Sequence, residues 1–271
     1  MRAYSMAYLT SYPLPAPDAI RLAARLGYDA IGLRALPAVP GGAADPLIAD
    51  RALLRETRAA MKECALSVFD VEIIRLGADF SVETVKPFLE VCGELNARAV
   101  LVAGDDADEA RLTASFAAFA AAAAPYGLSA DLEFMAWTAV KDAKSALRIV
   151  TNAGEDNGGV LVDSLHAGRS TTSLADLAAI PRGRLNYAQI CDATPGTHFT
   201  DAELIHTARS ERLLPGAGSI DLAGIFAALP RDLPISIELP HEAAKAELGI
   251  EEWARRGLTA AKAFMATLPA T

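Results

Sequence analysis

Residues 160–166 have the sequence Val-Leu-Val-Asp-Ser-Leu-His. The three apolar residues follow Gly158-Gly159 and end at a carboxylate, a pattern typical of a short buried strand. Asp163, at the point where such a strand emerges, is costly to bury alone and needs a cation or hydrogen-bond donors. The pattern suits a metal ligand in a parallel α/β protein, and equally an Asp that only caps the following helix.

Similar apolar runs recur along the chain and alternate with helical segments rich in alanine and leucine. Strands are predicted at 4–10, 30–34, 67–76, 97–103, 128–134, 160–163, 185–191 and 235–239. The predicted helices are 17–26, 50–64, 81–95, 108–126, 138–153, a short one after Ser173-x-x-Asp176, 201–208, 221–229 and 250–268.

This alternation predicts a parallel sheet, and eight repeats in 271 residues favour a single (β/α)₈ TIM barrel domain spanning 1–271. The alternative is an open doubly wound sheet. The absence of Gly-x-Gly-x-x-Gly after the first strand counts against a dinucleotide-binding version of that fold.

The composition excludes several classes of function. The net charge is −9, and no cluster of Lys and Arg is present, so we expect no nucleic-acid partner. The most apolar run, 115–125, is too short to span a bilayer, and the N-terminus lacks a signal-peptide pattern. Three cysteines without metal-type spacing, Cys64, Cys92 and Cys191, are predicted to be buried free thiols. We therefore expect a cytoplasmic protein without a membrane partner.

Four oxygen-bearing side chains lie at the ends of four successive predicted strands. They are Glu133, Asp163, Gln189 and Glu238, at spacings of 30, 26 and 49 residues. Functional residues of a barrel lie at this end of the strands, where three converging carboxylates would repel one another. A divalent cation removes the conflict, and oxygen donors favour Mg²⁺ or Mn²⁺, with Co²⁺ or Zn²⁺ as alternatives. Individually, either Glu could instead pair with an Arg, and Gln189 could bond backbone groups.

These motifs resemble the xylose isomerase-like barrel superfamily of sugar isomerases and epimerases, which also includes endonuclease IV. The resemblance covers the second half of the chain. It rests on Leu-Glu133-Phe, Asp163-x-x-His166, Gln189-x-x-Asp192, Arg212-x-x-Pro215-Gly216-x-Gly218-x-x-Asp221 and Ile-Glu238-Leu. It implies that Glu133, Asp163, Gln189 and Glu238 bind one divalent metal, although ketose 3-epimerases often have His at the position of Gln189.

The resemblance also implies proton transfer beside a carbonyl group, with Glu133 and Glu238 removing and returning the proton. His166 would bind a substrate oxygen, or else orient Asp163. Arg212 would bind a substrate oxygen or carboxylate, or else be an exposed loop residue. Two weaker candidates for substrate binding are Glu72, which could instead pair with Arg75, and Trp137, which could instead cover the barrel rim.

Three other functions remain open at this point. A lyase is the main alternative, because bacterial 3-dehydroshikimate dehydratases have similar motifs, including Gln189-x-x-Asp192-Ala and Glu133-Phe-Met-Ala-Trp137. Endonuclease IV is disfavoured, since it needs many histidines and this chain has four. A binding protein that retains the metal site is disfavoured by the intact pair of glutamates. We expect a small, non-phosphorylated polyhydroxy carbonyl substrate and, from the resemblance, a homo-oligomer.

Overall fold

The apolar runs of the sequence form eight parallel strands that close into a barrel in chain order, with β1 paired to both β2 and β8. The computed structural model describes residues 2–39 and 41–268. The strands are β1 (Tyr4–Met6), β2 (Ala30–Arg34), β3 (Ser67–Leu76), β4 (Ala99–Gly104), β5 (Ser129–Glu133), β6 (Gly158–Asp163), β7 (Ala188–Ile190) and β8 (Ile235–Ile237). The predicted (β/α)₈ TIM barrel is confirmed.

Helices follow the strands and surround the barrel. They are α1 (Tyr8–Ser11), α2 (Ala16–Leu26), α3 (Arg51–Cys64), α4 (Val82–Glu94), α5 (Glu109–Ala123), α6 (Ala143–Ala153), α7 (Ser164–Gly168), α8 (Leu174–Ala178), α9 (Asp201–Ser210), α10 (Leu222–Ala228), α11 (Glu242–Leu248) and α12 (Ile250–Thr267). None of these described helices is both long and apolar enough to cross a membrane.

Side-chain capping fixes where several helices begin, as the sequence predicts for α8. The Ser173 hydroxyl accepts a hydrogen bond from the Asp176 N–H, and the Asp176 carboxylate accepts one from the Ser173 N–H. This reciprocal pair satisfies two backbone donors that the first turn would otherwise leave free. The capping box predicted before the short helix is therefore confirmed.

The first strand is shorter than predicted, because the chain leaves the barrel after Met6 and forms α1. Thr10 fixes this departure: its hydroxyl donates to the Ile237 carbonyl and accepts from the Leu239 N–H. The apolar character of 8–10 reflects burial across the barrel mouth rather than strand pairing, and Tyr8 lies there beneath the Arg34 guanidinium.

Local structure differs from expectation in three other places. The helix predicted from 138 begins at Ala143, because the Asp142 side chain accepts from the Ser145 N–H and caps it there. The short helices α7 and α11 were not predicted, since neither is long enough to show a helical period. Cys92 and Cys191 are buried as expected, whereas Cys64, the last residue of α3, is half-buried.

Two apolar layers hold the barrel together. Outward-facing strand residues such as Val68 and Val71 share one buried cluster with helix residues such as Phe116. Inside the barrel, a smaller cluster includes Phe69 and Tyr187, whose ring centroids lie 5.1 Å apart. These apolar side chains fill the part of the interior nearer the beginning of the strands. The polar groups converge at the opposite end, where the strands terminate.

Asp70 is a buried carboxyl group below that polar end. It is 0% exposed, and neither of its oxygens has a hydrogen-bond partner among the described residues. A Cβ atom at Gly32 would lie 2.7 Å from Asp70 Oδ1, so the glycine makes room for the carboxyl group. Burial, together with Glu72 and Asp131, raises the pKa of Asp70 to about 8. The carboxyl group is therefore protonated in the folded protein at neutral pH.

We expect Asp70→Asn to remove a pH-dependent loss of stability. The pKa of Asp70 is about 8 in the folded state against a model value of 3.8, so only the unfolded chain ionises as the pH rises between these values. Wild-type stability therefore falls across this window. In urea unfolding, the difference in unfolding free energy between the variant and wild type should shift in favour of the variant by about 2 kcal/mol or more from pH 5 to pH 8. A difference in unfolding free energy between variant and wild type that does not change with pH would contradict a protonated Asp70 in the folded protein.

Candidate active site

The four predicted strand-end residues lie together at the mouth of the barrel. Glu133 and Asp163 are the last residues of β5 and β6, Gln189 lies in β7 opposite Asp163, and Glu238 follows β8 directly. All four are at most 4% exposed. The carboxyl ends of neighbouring parallel strands thus bring three carboxylates and one amide into a common buried volume, as the spacing predicted.

The amide of Gln189 points at two of these carboxylates. One of its terminal atoms lies 3.1 Å from Glu133 Oε1 and 3.1 Å from Asp163 Oδ2. With nitrogen at that position the amide donates two hydrogen bonds, and with oxygen there three oxygens converge without a donor between them. Oxygens at neighbouring corners of an octahedral Mg²⁺ site are about 3.0 Å apart, since the metal–oxygen distance is about 2.1 Å. The 3.1 Å spacing therefore suits either two donated hydrogen bonds or oxygen ligands around one cation.

Arg212 bridges two of the same carboxylates. Its Nη1 lies 2.5 Å from Asp163 Oδ2, and its Nη2 lies 2.7 Å from Glu238 Oε2. The side chain is 3% exposed, so the alternative of an exposed loop arginine is wrong. Burial would lower the pKa of Arg212, but Asp163 and Glu238 raise it well above its usual value. The ion-pair alternative for Glu238 is therefore present in the structure.

The two oxygens of Asp163 have different surroundings. Oδ1 accepts a hydrogen bond of 2.6 Å from the Leu165 N–H, and a longer one of 3.4 Å from the His166 N–H, and so caps α7. Oδ2 faces Gln189 and Arg212. Capping therefore fixes the carboxylate plane and directs the second oxygen into the site.

His166 presents a neutral imidazole to the site. Burial lowers its pKa to about 4, and its Nδ1 has no partner among the described residues. Nε2 lies 3.6 Å from Glu133 Oε1, which is too long for a hydrogen bond. The imidazole makes no hydrogen bond to Asp163, so the structure gives no support to its orienting that carboxylate. It packs edge-to-face against Trp137, with centroids 5.1 Å apart.

Glu72 lies at the same level, but its partner differs from the predicted one. Its Oε2 is 2.5 Å from Arg34 Nη2, while Arg75 forms a bidentate pair with Asp105. The alternative pairing of Glu72 with Arg75 is therefore wrong. Arg34, which sequence reasoning missed, ends β2 directly opposite Glu72 in the strand register. Its position as the last residue of a predicted strand was the available signal.

A cavity of about 150 Å³ opens above these residues. Six predicted site residues line it, namely Glu72, Glu133, Trp137, His166, Arg212 and Glu238. Asp163 and Gln189 lie behind them, at 0% exposure. This volume is below the 300 Å³ typical of pockets for drug-sized ligands, so the cavity as it stands suits a small molecule.

A family model described as xylose isomerase-like TIM barrel matches residues 20–263. The chain belongs to this family. No curated protein sequence matches it. The sequence resemblance to this superfamily is thereby confirmed.

Solved structures with this barrel agree in fold at low sequence identity. The IolI protein with a binding zinc atom is 18% identical, with a TM-score of 0.79 over 99% of this chain and 100% of that one. D-allulose 3-epimerase from Methylomonas sp. in complex with D-allulose is 19% identical, with a TM-score of 0.71 over 97% and 96%. A xylose isomerase-like TIM barrel/4-hydroxyphenylpyruvate dioxygenase fusion protein is 19% identical, with a TM-score of 0.78 over 96% of this chain. The match covers 42% of that fusion protein, so this chain spans less than half its length.

The charges at the mouth of this xylose isomerase-like barrel fit one divalent cation. If all four buried carboxyl groups, from Glu72, Glu133, Asp163 and Glu238, are ionised, the two buried guanidinium groups of Arg34 and Arg212 leave two negative charges unbalanced. Burial and the neighbouring acids raise the pKa of Glu133 well above its usual value and that of Glu238 to about 8. One divalent ion balances this excess, and Glu133, Asp163 and His166 can each bring a ligand atom within 4.8 Å of the others.

Asp192 organises the loop that carries Arg212, a function that the sequence did not reveal. Its buried carboxylate accepts hydrogen bonds from four backbone N–H groups, those of Ala193, Gly216, Gly218 and Ile220. Its own backbone exchanges two hydrogen bonds with Leu213. In this family member, the loop after α9 is thus held against β7, and Arg212 is held over the site.

We expect Asp192→Ala to lower both stability and activity. Removing the carboxylate leaves four backbone donors without their acceptor, and each such buried group costs about 1–3 kcal/mol before water compensates. The unfolding free energy should fall by about 3 kcal/mol. The value of kcat should fall at least about tenfold, because Arg212 is no longer held in position. Asp192→Asn keeps one acceptor oxygen, so its unfolding free energy and kcat should lie between those of wild type and of Asp192→Ala. Urea unfolding within 0.5 kcal/mol of wild type would contradict this role.

Proposed function

We propose that this protein is a divalent-metal-dependent isomerase or epimerase that transfers a proton at the carbon beside the carbonyl of a small polyhydroxy substrate. One observation supports this most strongly. Two buried glutamates, Glu133 on β5 and Glu238 after β8, line one cavity from separate strands beside a convergent set of oxygen ligands. Two bases facing one substrate are what removal and return of a proton require.

The proposed metal ligands are Glu133, Asp163, Gln189 and Glu238. Their oxygen donors favour Mg²⁺ or Mn²⁺, and Co²⁺ or Zn²⁺ remain alternatives, Zn²⁺ being the ion in the IolI structure. A divalent ion held there would stabilise negative charge that develops on a substrate oxygen.

The residues of this chain supply the remaining steps. Glu133 takes the proton from the carbon beside the carbonyl, and Glu238 delivers a proton from across the cavity. The neutral His166 and the guanidinium of Arg212 bind substrate oxygens and fix the reacting carbon between the two glutamates. Trp137 covers one side of the cavity and holds the His166 ring, while Glu72, fixed by Arg34, contacts a substrate hydroxyl.

Structural neighbours that are sugar epimerases agree with a sugar-like substrate, since one of them holds D-allulose. A lyase of the 3-dehydroshikimate dehydratase type is a second candidate. Gln189 favours it, because this residue distinguishes the chain from ketose 3-epimerases and matches the dehydratases. Both reactions begin with the same proton removal, so the shared site serves either one. We further propose a cytoplasmic location, with which the three free thiols agree.

Proton exchange measured by NMR in D₂O tests this proposal. The protein, loaded with Mg²⁺ to avoid paramagnetic broadening, is offered a panel of ketoses and 3-dehydroshikimate. Deuterium incorporated beside the carbonyl with a rearranged sugar supports an isomerase or epimerase. New aromatic proton signals from dehydroshikimate would support the lyase instead. Absence of exchange with every compound, in protein shown to contain metal, would contradict both.

A further inference from the structure

Four buried polar side chains of the barrel interior have no hydrogen-bond partner within residues 2–39 and 41–268. They are Ser5, Asp70, Tyr187 and Ser236, and each is at most 3% exposed. The unpartnered atoms are all oxygens, namely both carboxyl oxygens of Asp70 and the three hydroxyl oxygens. Buried polar atoms are nearly always bound to a partner, so this interior oxygen cluster indicates a bound species.

The interior oxygen cluster extends from β8 through β1 and β2 to β3. Ser5 is the register partner of Ser236, which is in turn the partner of Gln189, and partners in parallel strands project to the same face. Because the Gln189 amide faces the barrel interior, both serine hydroxyls lie on that side too. Between β1 and β3, Gly32 has no side chain, and the Asp70 carboxyl group occupies the room that this leaves.

Tyr187, which directly precedes β7, crosses the barrel interior towards the same region. Its ring packs against Phe69 of β3, with centroids 5.1 Å apart, and Asp70 is the next residue of that strand. Burial and then the charge of Asp70 raise the pKa of Tyr187 well above its usual value. The phenol hydroxyl and the carboxyl group therefore face each other across the cluster.

The surroundings of the interior oxygen cluster favour one positive charge. Burial, Glu72 and Asp131 raise the pKa of Asp70, and the contribution of the two acids means that the potential there is negative. Carboxylate and hydroxyl oxygens are ligands that hard cations prefer. A single carboxylate balances a monovalent ion, whereas a divalent ion would leave an unbalanced charge in an apolar interior, which is costly.

We propose that the interior oxygen cluster binds one monovalent cation, Na⁺ or K⁺, between the Asp70 carboxylate and the hydroxyl oxygens of Ser5, Tyr187 and Ser236. The ion replaces the Asp70 proton, which leaves to solvent, so the buried charge is the same before and after binding. This site is separate from the proposed divalent centre, since Ser236 lies two residues before Glu238 on the same strand path and projects below it. The proposal does not depend on the proposed function.

Thermal unfolding of the Mg²⁺-loaded protein in NaCl, KCl or choline chloride of equal ionic strength tests the proposal at about pH 8, close to the pKa of Asp70. Choline carries the same charge but is too large for the barrel interior. At about ten times its dissociation constant, Na⁺ or K⁺ should raise the Tm by about 3 °C relative to choline. Asp70→Asn should abolish this rise. Tyr187→Phe, which keeps the ring, should increase the half-saturating salt concentration about tenfold.

Two variants serve as controls and should keep the full rise in Tm. Asp156→Asn changes an exposed aspartate before β6, and Asp163→Asn changes a ligand of the proposed divalent centre. Equal Tm values in the three salts would overturn the proposal, and this is the result expected of a cluster that binds only water. A rise that persists in Asp70→Asn, or that Asp163→Asn abolishes, would also overturn it.

Proton release gives a second measurement, and neither measurement requires turnover. Adding the effective salt to unbuffered protein at about pH 7 should release close to one proton per bound ion, because the folded protein holds the Asp70 proton at that pH. Asp70→Asn should release none. A rise in Tm without proton release would overturn the assignment of Asp70 as a ligand.

Discussion

Glu133→Gln should lower the rate of proton exchange by at least about 10³-fold, because a positioned general base contributes about 10²–10⁴-fold and the carboxylate charge is lost as well. The substitution conserves shape and keeps one oxygen that can bind a cation, so the protein should fold and still take up metal. Glu238→Gln should have an effect of the same order, since each glutamate acts at one end of the proton transfer.

The measurement is the rate of deuterium incorporation by NMR, with metal content determined on the same sample. Glu247→Gln, an exposed glutamate of α11, is the matched control and should exchange at the wild-type rate. An activity of Glu133→Gln within tenfold of wild type, with metal bound, would show that Glu133 is not the base. Ligand binding without turnover in this variant would also separate an enzyme from a binding protein.

Arg212→Met should reduce the unfolding free energy of the metal-free protein by about 3–5 kcal/mol. Arg212 is 3% exposed and bridges Asp163 and Glu238, so its loss leaves two buried carboxylates without their cation. Methionine fills similar volume, so loss of packing contributes little. The carboxylates should then take up protons, and the destabilisation should shrink at acidic pH.

A divalent cation should reverse part of this loss. Mn²⁺ at about 100 times its dissociation constant stabilises a folded protein by about 2.7 kcal/mol, and it supplies the charge that Arg212 no longer provides. Urea unfolding with and without Mn²⁺ measures both effects. Arg148→Met, which breaks an exposed pair with Glu109, is the control and should cost less than about 1 kcal/mol. Equally small decreases in unfolding free energy in both variants would show that the buried ion pairs of Arg212 contribute little to stability.

The barrel itself could be predicted because periodic apolar runs mark most of its strands. The bounds predicted for β2 and β3 agree with the structure. Asp29 precedes β2, Gly77 follows β3, and β3 is rich in β-branched and aromatic residues. The prediction for β1 was wrong beyond Met6, because local apolarity does not distinguish strand pairing from burial at the barrel mouth. Tertiary contacts of Thr10 decide that boundary.

The sequence predicts that residues at the ends of neighbouring strands lie close together in the candidate site. Glu133, Asp163 and Glu238 each follow an apolar run, and parallel strands bring such positions together. Their partners could not be predicted, because the pairing of Arg34 with Glu72 spans 38 residues and that of Arg212 with Asp163 spans 49. No local periodicity encodes which of several arginines reaches a buried carboxylate.

Calorimetric titration of Mn²⁺ into metal-free protein decides whether the strand-end residues form one divalent metal centre. We predict one ion per chain, with the affinity reduced at least about tenfold in Asp163→Asn, which loses a ligand charge while keeping an oxygen to cap α7. Glu247→Gln should bind as wild type does. Absence of a saturable site in the wild type, or equal affinity in Asp163→Asn, would show that these residues do not form a metal centre.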